Sequence, residues 1–293
     1  MIRSDLHTHT TFSTDGKSEM ADMIESARGR RIQTICFTEH MDYDTHYPEG
    51  EGTFVVDTDS YMKRVRELQF RENPDNAVLG AGQSAPDDMY GPVEVLFGVE
   101  LGLQPHLVEH YKKYTASYPF DFIIGSSHVT GGIDPAFPEF WEGYRTEKDA
   151  VLAYFECEYK CASLFDTYDV YGHIDYALRY APSVKKGETR EFSYDEYGDI
   201  LDELLKTIIS KGKGIELNSA GYRKGLHRPN PDISILKRYK ELGGEILTIG
   251  SDAHVTTDIA ADFDLAEKAL RSCGFTGHYI FRNRKPVRID FDE

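Results

Sequence analysis

The chain has 293 residues, enough for one large domain with a full core, and its 50 acidic against 33 basic residues give a net charge of −17. Hydrophobic residues make up 40% and aromatics 12%, which excludes a disordered chain, and no apolar run is long enough to span a bilayer. The acidic field disfavours nucleic acid as a partner, with only "RKGLHR" (223–228) and "FRNRKPVR" (281–288) as short basic strips against it.

The first predicted strand, "IRSDLHT" (2–8), carries His7 and leads straight to His9. Residues two apart in an extended chain face the same side, so the two imidazoles project together, and Asp15 follows in the loop. No signal-like apolar stretch precedes this strand. Cys36, Cys157, Cys161 and Cys273 fit neither a zinc ribbon nor a CxxC redox pair, so reduced, mostly buried thiols and a cytoplasmic setting are expected. The second strand, "TICFTEH" (34–40), ends at His40. Stretches 42–58 and 73–92 are expected to be long loops, either lids over a site or surface excursions. The third strand, "VLFGVEL" (95–101), carries Glu100.

His106 and His110 follow in "HLVEH", which lacks the glutamate of a metalloprotease HExxH helix and reads as exposed helix starting near Pro105. The fourth strand, "DFIIGSSH" (121–128), ends at His128. A helix starts at Thr146, with Asp149 three residues on as a capping-box-like pair, and continues through Val151, Tyr154, Phe155 and Leu164. The fifth strand, "DVYGHID" (169–175), carries His173. Leu201, Leu204, Leu205, Ile208 and Ile209 then form one apolar face of a helix over 197–211, stopped by Gly212 and Gly214. The sixth strand, "GIELNS" (214–219), ends with Asn218 and no ligand-type residue. A helix over Asp232 to Leu242, the seventh strand "ILTIGSDAH" (246–254) with Asp252 and His254, and a helix over Phe263 to Cys273 complete the pattern. His46 and His278 have no evident partners, and His227 belongs with its basic loop.

Alternating strand and helix argues for parallel strands with crossover helices. Seven strands without a GxGxxG or P-loop pattern favour a barrel over an open nucleotide-binding sheet. In a parallel barrel all strand C-termini open on one face. Six imidazoles and three carboxylates gather there: His7, His9, Asp15, His40, Glu100, His128, His173, Asp252 and His254. A dry cluster of this kind is costly unless cations compensate it. Imidazole with carboxylate suits Zn, Mn or Fe, and nine ligands suit two or three divalent ions.

In their order along the chain, these nine residues resemble the polymerase-and-histidinol-phosphatase (PHP) family: an N-terminal HxH, an Asp, then His, Glu, His, His and a final DxH, over residues 4 to about 285. The resemblance implies a distorted (β/α)7 barrel over residues 1–293, one catalytic domain, with the metal site at the strand C-termini. "YDVYGHIDYALRY", "GIELNSAGYRKG" and "LGGEILTIGSDAH" are similar to the stand-alone histidinol-phosphate phosphatases of that family. The implied reaction is attack of a metal-bridging hydroxide on the phosphorus of L-histidinol phosphate. Arg179 and Arg223 are the expected phosphate-binding arginines, with His227, Arg228 and Asn218 as further substrate contacts; a site histidine or Asp252 is the expected source of the leaving-group proton. A small phosphorylated substrate is expected, with neither nucleic acid nor membrane as partner. Nucleotides, oligonucleotides or phosphotyrosine are alternative substrates, and a non-catalytic metal-bound scaffold is the alternative outside catalysis. An amidohydrolase is disfavoured, because no lysine stands at a strand end to bridge metals.

Overall fold

The computed structural model describes residues 1–45, 47, 53–73, 91–187 and 192–291. Its first half runs β1 (Ser4–Thr8), α1 (Met20–Gly29), β2 (Thr34–Phe37), β3 (His40–Met41), α2 (Thr58–Glu72), β4 (Glu94–Gly102), α3 (Val108–Ser117) and β5 (Phe122–Ser126). The second half runs α4 (Pro138–Glu142), α5 (Glu147–Leu164), β6 (Val170–Tyr171), α6 (Pro182–Lys185), α7 (Gly198–Ser210) and β7 (Gly214–Asn218). It ends with α8 (Ala220–Arg223), α9 (Ile233–Glu241), β8 (Leu247–Gly250), α10 (Phe263–Ser272), β9 (Gly277–Arg282) and β10 (Lys285–Asp290).

The parallel strands pair in the order β1-β2-β4-β5-β6-β7-β8, with β3 extending the line of β2 against β4. Just past the strand ends the circle closes: Thr8 bridges Ala253, His9 N–H donates to the Ala253 carbonyl at 2.8 Å and Asp252 N–H to the His7 carbonyl at 2.8 Å. This is a distorted (β/α)7 barrel. The distortion has visible causes. The second strand breaks at Thr38 and Glu39, where Thr38 N–H turns to the Thr8 carbonyl at 2.9 Å. Glu39, fully buried, spends its carboxylate on Thr10 and Ser13. The fifth strand is only two residues long before Gly172 bends the chain towards His173.

The helices with wide apolar stripes stand where periodicity places them. In α7, Leu201, Leu204, Leu205 and Ile208 are buried. Helix α5 starts under its cap, with Asp149 N–H donating to Thr146 Oγ1 at 3.1 Å. Helix α9 starts from Asp232, which accepts Ser234 N–H at 2.8 Å. Helices α1 and α2 escaped the sequence pattern; in α2 only Thr58, Tyr61, Val65 and Leu68 are buried among charged neighbours, too thin a stripe to stand out.

The β9–β10 hairpin closes the barrel floor, away from the strand C-termini. Ile280 and Phe281 join Leu6, Cys36, Leu96, Phe122, Ile124 and Val170 in a cluster of their own, and Phe281 stacks on Phe122 with ring centroids 5.1 Å apart. The basic strip at 281–288 therefore serves the fold. Its three arginines pair with acids: Arg282 with Glu94 at 2.7 Å, Arg284 with Asp169 at 2.5 Å and Arg288 with Asp290 at 2.7 Å. His278 has a partner after all: it is buried on β9, 2.7 Å from Ser4 Oγ. All four cysteines are free thiols, three of them buried. No helix among the described residues is long and apolar enough to cross a membrane. Of the two expected lid loops, residues 74–90, 46 and 48–52 lie outside the described residues, and His46 with them. His106 pairs with Asp44 at 2.9 Å and His110 stacks on Tyr43, so both hold the start of the 42–58 stretch.

Candidate metal centre

The nine ligand-type residues converge at the C-terminal mouth of the barrel. Glu100, 1% exposed at the side chain, stands at the middle. Its Oε2 lies 3.2 Å from His7 Nε2, 3.5 Å from His9 Nε2 and 3.1 Å from His40 Nδ1; its Oε1 lies 3.2 Å from His128 Nε2 and 2.9 Å from His173 Nε2. Asp252 Oδ1 approaches His9 Nε2 at 3.6 Å and His7 Nε2 at 3.9 Å. Asp15 closes the outer side, 3.0 Å from His254 Nε2 and 3.7 Å from His40 Nε2.

Most of these separations match those of donor atoms that share a cation. Donor atoms roughly 2.0–2.1 Å from a zinc-type ion at tetrahedral angles lie roughly 3.3–3.4 Å apart. His40 Nδ1 and Glu100 Oε2, 3.1 Å apart, are buried without a hydrogen bond of acceptable geometry, as is His254 Nε2. Three-membered sets with donor atoms within 4.8 Å of one another include His9–His40–His254, His7–Glu100–His173 and His7–His9–Asp252. The donor set fits divalent metal. Burial, and then the neighbouring rings of His40, His254 and His7, push His9 well below the ordinary imidazole value, leaving it a neutral donor. Burial works against charge on Asp15, yet His40 and His254 hold its carboxyl down to about 2.

Local backbone aims these groups. His7 and His9 share one face at the end of β1, as the period of two requires. Asp252 adopts φ 54°, a left-handed conformation that is strained for a residue other than glycine. Gly250 must be glycine because a Cβ there would collide with His7 Cβ and Glu216 Oε1.

Two carboxylates that the sequence analysis missed orient the imidazoles. Glu216, on β7, puts Oε1 2.6 Å from His7 Nδ1, which favours a proton on that nitrogen and turns Nε2 towards the centre. Its Oε2 accepts His173 N–H at 3.1 Å and Asn218 Nδ2–H at 3.3 Å. Asp42 Oδ2 lies 2.8 Å from His128 Nδ1 and does the same for that ring. The signal for Glu216 was its place on the same strand face as Asn218, two residues on; nothing local marks Asp42.

Arg179 reaches the centre. It is 5% exposed and held by three acceptors: Asp252 Oδ2 at 3.0 Å, Asn230 Oδ1 at 2.6 Å and Asn218 Oδ1 at 3.1 Å. Asn218 thus positions an arginine and touches the cluster only through it and Glu216. The structure places the other expected phosphate contacts outside the lining of the cavity at the cluster. Arg223 turns away, bonded to Asp262 at 3.1 Å and to the Ser251 carbonyl at 2.7 Å. Its neighbour Lys224 lines the cavity instead, 3.9 Å from Asp252. Arg228 pairs with Asp175 at 2.6 Å and Asp232 at 3.0 Å, and with His227 it lines a separate 630 Å³ cavity beside α5 and α6. Acids close at hand outcompete the mouth for these side chains.

The mouth itself is a cavity of about 270 Å³, lined by the cluster residues other than His7 and His9, by Arg179 and Lys224 and by Tyr47, Phe54, Phe137, Tyr176 and Tyr180. Asp134 also lines it; burial pushes its carboxyl up to about 6.

The family model for the PHP domain matches residues 5–220. A probable histidinol-phosphatase of Clostridium acetobutylicum is 33% identical over 283 residues, covering 97% of this chain and 95% of that protein. The crystal structure of histidinol phosphate phosphatase from Lactococcus lactis, complexed with zinc, L-histidinol and phosphate, superposes with a TM-score of 0.81 at 25% identity, covering 97% of this chain and 98% of that one. A Listeria monocytogenes structure at 18% identity and a TM-score of 0.72, covering 89% and 99%, shares the fold.

Proposed function

The chain belongs to the PHP domain family, and we propose that it is a metal-dependent phosphomonoesterase that hydrolyses L-histidinol phosphate to L-histidinol and inorganic phosphate. The observation that carries this reading is the convergence of nine ligand-type side chains, seven of them lining one cavity with His7 and His9 directly behind, and of a triply held arginine in the same cavity. Relatives named for the same reaction across nearly the whole chain support the substrate. Residues 1–293 act as one catalytic domain.

His7, His9, Asp15, His40, Glu100, His128, His173, Asp252 and His254 hold two or three divalent ions of the zinc, manganese or iron type. Bound there, the metals supply Lewis acidity towards the phosphoryl oxygens and a water nucleophile near neutral pH. The protein's own groups do the rest. Arg179 presents a fixed, always charged guanidinium to the phosphoryl group, and its three acceptors hold it in place before substrate arrives. Lys224 adds a second positive charge on the same side. Asp252 and His254, members of the cluster, line the cavity beside Lys224, where the departing alkoxide takes up its proton. Glu216 and Asp42 fix the ring orientations on which the ligand geometry depends.

The test is the initial rate of phosphate release from L-histidinol phosphate beside a nucleoside monophosphate, a phosphotyrosine peptide and an aryl phosphate, with metal content measured on the same sample. A large kcat/KM preference for histidinol phosphate is expected. Activity confined to the other esters would discard the substrate and keep the hydrolysis. Full metal with no turnover on any ester would leave a scaffold.

A further inference from the structure

We propose that Asp134 is a specificity-determining residue whose carboxylate receives the ammonium group of the substrate, while the phosphate end lies at Arg179 and the ligand cluster. The proposal rests on the histidinol-phosphate reading above. Asp134 belongs to none of the metal-type groups, is 7% exposed and lines the same cavity as Arg179. It accepts Ala136 N–H at 2.7 Å and the Tyr176 hydroxyl at 3.3 Å, and no lysine or arginine among the described residues pairs with it. A buried carboxylate without a cation is costly, and a cationic ligand removes the cost.

The loop that carries it is tied at both sides of Asp134. Thr130 and Ile133 bridge across Gly131 and Gly132, both at positive φ, and Trp141 Nε1–H donates to the Pro135 carbonyl at 2.7 Å. Asp42, the other acid on this side, belongs with the histidines: its Oδ2 meets His128 and the Tyr47 hydroxyl, and it forms a metal-type group with His40 and His128. Among the described residues, Asp134 touches no histidine by hydrogen bond or ion pair and is the acid placed for a cationic ligand.

Tyr176 contacts the residues at both ends. Arg179 Cζ lies 5.5 Å from its ring centroid, and its hydroxyl touches Asp134. A phosphate at Arg179 and an ammonium at Asp134 would then both lie against Tyr176, as the two charged ends of a short amino-alkyl phosphate require. The aromatic rings of Tyr47 and Phe137 wall the same space, and electron-rich faces favour a cation.

The experiment compares L-histidinol phosphate with 3-(imidazol-4-yl)propyl phosphate, which lacks the amine, using the metal-loaded wild-type protein and Asp134→Asn. The wild type should prefer the amine-bearing ester. Asp134→Asn should lose roughly 10–100-fold in kcat/KM on that ester, mainly through KM, as expected for one charge-assisted hydrogen bond. The amine-free ester and the metal content should be unchanged. Product inhibition by L-histidinol should weaken while inhibition by inorganic phosphate holds. Equal losses on both esters, or none, would overturn the proposal and leave the phosphatase intact. Should Asp134→Asn not fold, Asp134→Ser takes its place. A wild type that treats the two esters alike overturns the proposal without any variant. A wild type inactive on both but active on another ester overturns the histidinol-phosphate reading, and the proposal with it.

Discussion

Replacing Glu216 with glutamine is expected to weaken metal binding without removing a single ligand. Glu216 Oε1 accepts from His7 Nδ1 at 2.6 Å, and Oε2 accepts from His173 N–H and from Asn218. Glutamine has one carbonyl oxygen, so its NH₂ must face a donor on one of the two sides. One charge-assisted hydrogen bond is lost, worth about 1.5–3 kcal/mol. Loss of an outer carboxylate behind a ligating histidine costs about 10–100-fold in metal affinity, or about 1.4–2.7 kcal/mol, so the two routes agree. The assay is competition against a chromophoric chelator with metal per chain counted by mass spectrometry, followed by turnover at saturating metal. The variant should release metal at a correspondingly lower chelator concentration and recover most of its kcat when metal is restored, because Glu216 does not line the cavity. An unchanged chelator midpoint would refute the orienting role. A kcat that stays low at full occupancy would refute the claim that Glu216 acts only through His7 and His173.

Other expectations follow from the same geometry. Arg179→Lys keeps the charge but cannot satisfy Asp252, Asn218 and Asn230 together, so kcat/KM should fall about 10–100-fold with metal retained; unchanged kinetics would show that the phosphate is gripped elsewhere. Burial holds His278 neutral, with its pKa lowered from 6.5 to about 4. Between those values the unfolded chain binds more protons, so this residue's contribution is complete above about pH 6.5 and is lost as pH falls towards 4, by about 3 kcal/mol. Urea unfolding of His278→Gln from pH 7 to pH 4 should therefore show a shallower loss than wild type; parallel curves would contradict the buried neutral state. Phe281→Ala, which empties the barrel floor beside Phe122, should cost about 3–5 kcal/mol in unfolding experiments yet leave metal content at wild-type level, since the floor is the end opposite the ligands.

The barrel and the gathering of ligand-type side chains were legible in the linear chain because each rests on a local rule. Strand alternation puts His7 and His9 on one face, apolar spacing at Leu201, Leu204, Leu205 and Ile208 marks a crossover helix, and parallel strands bring every C-terminal residue to one mouth. The nine side chains meet where that logic sends them. The supporting residues obey no local rule. Glu216 reaches His7 across 209 residues of sequence and Asp42 reaches His128 across 86, contacts that exist only when the barrel closes. Which of Arg179 and Arg223 faces the cavity followed from their nearest partners: Arg223 found Asp262, whereas Arg179 was held at the cavity by Asn218, Asn230 and Asp252. His278 gained Ser4 and the basic strip gained Glu94 and Asp169 because the final hairpin folds beneath the barrel. Residue type and period carry which groups a strand end presents; only the closed three-dimensional packing selects the partners that orient, neutralise or withdraw them, because those partners are distant in sequence and compete by proximity.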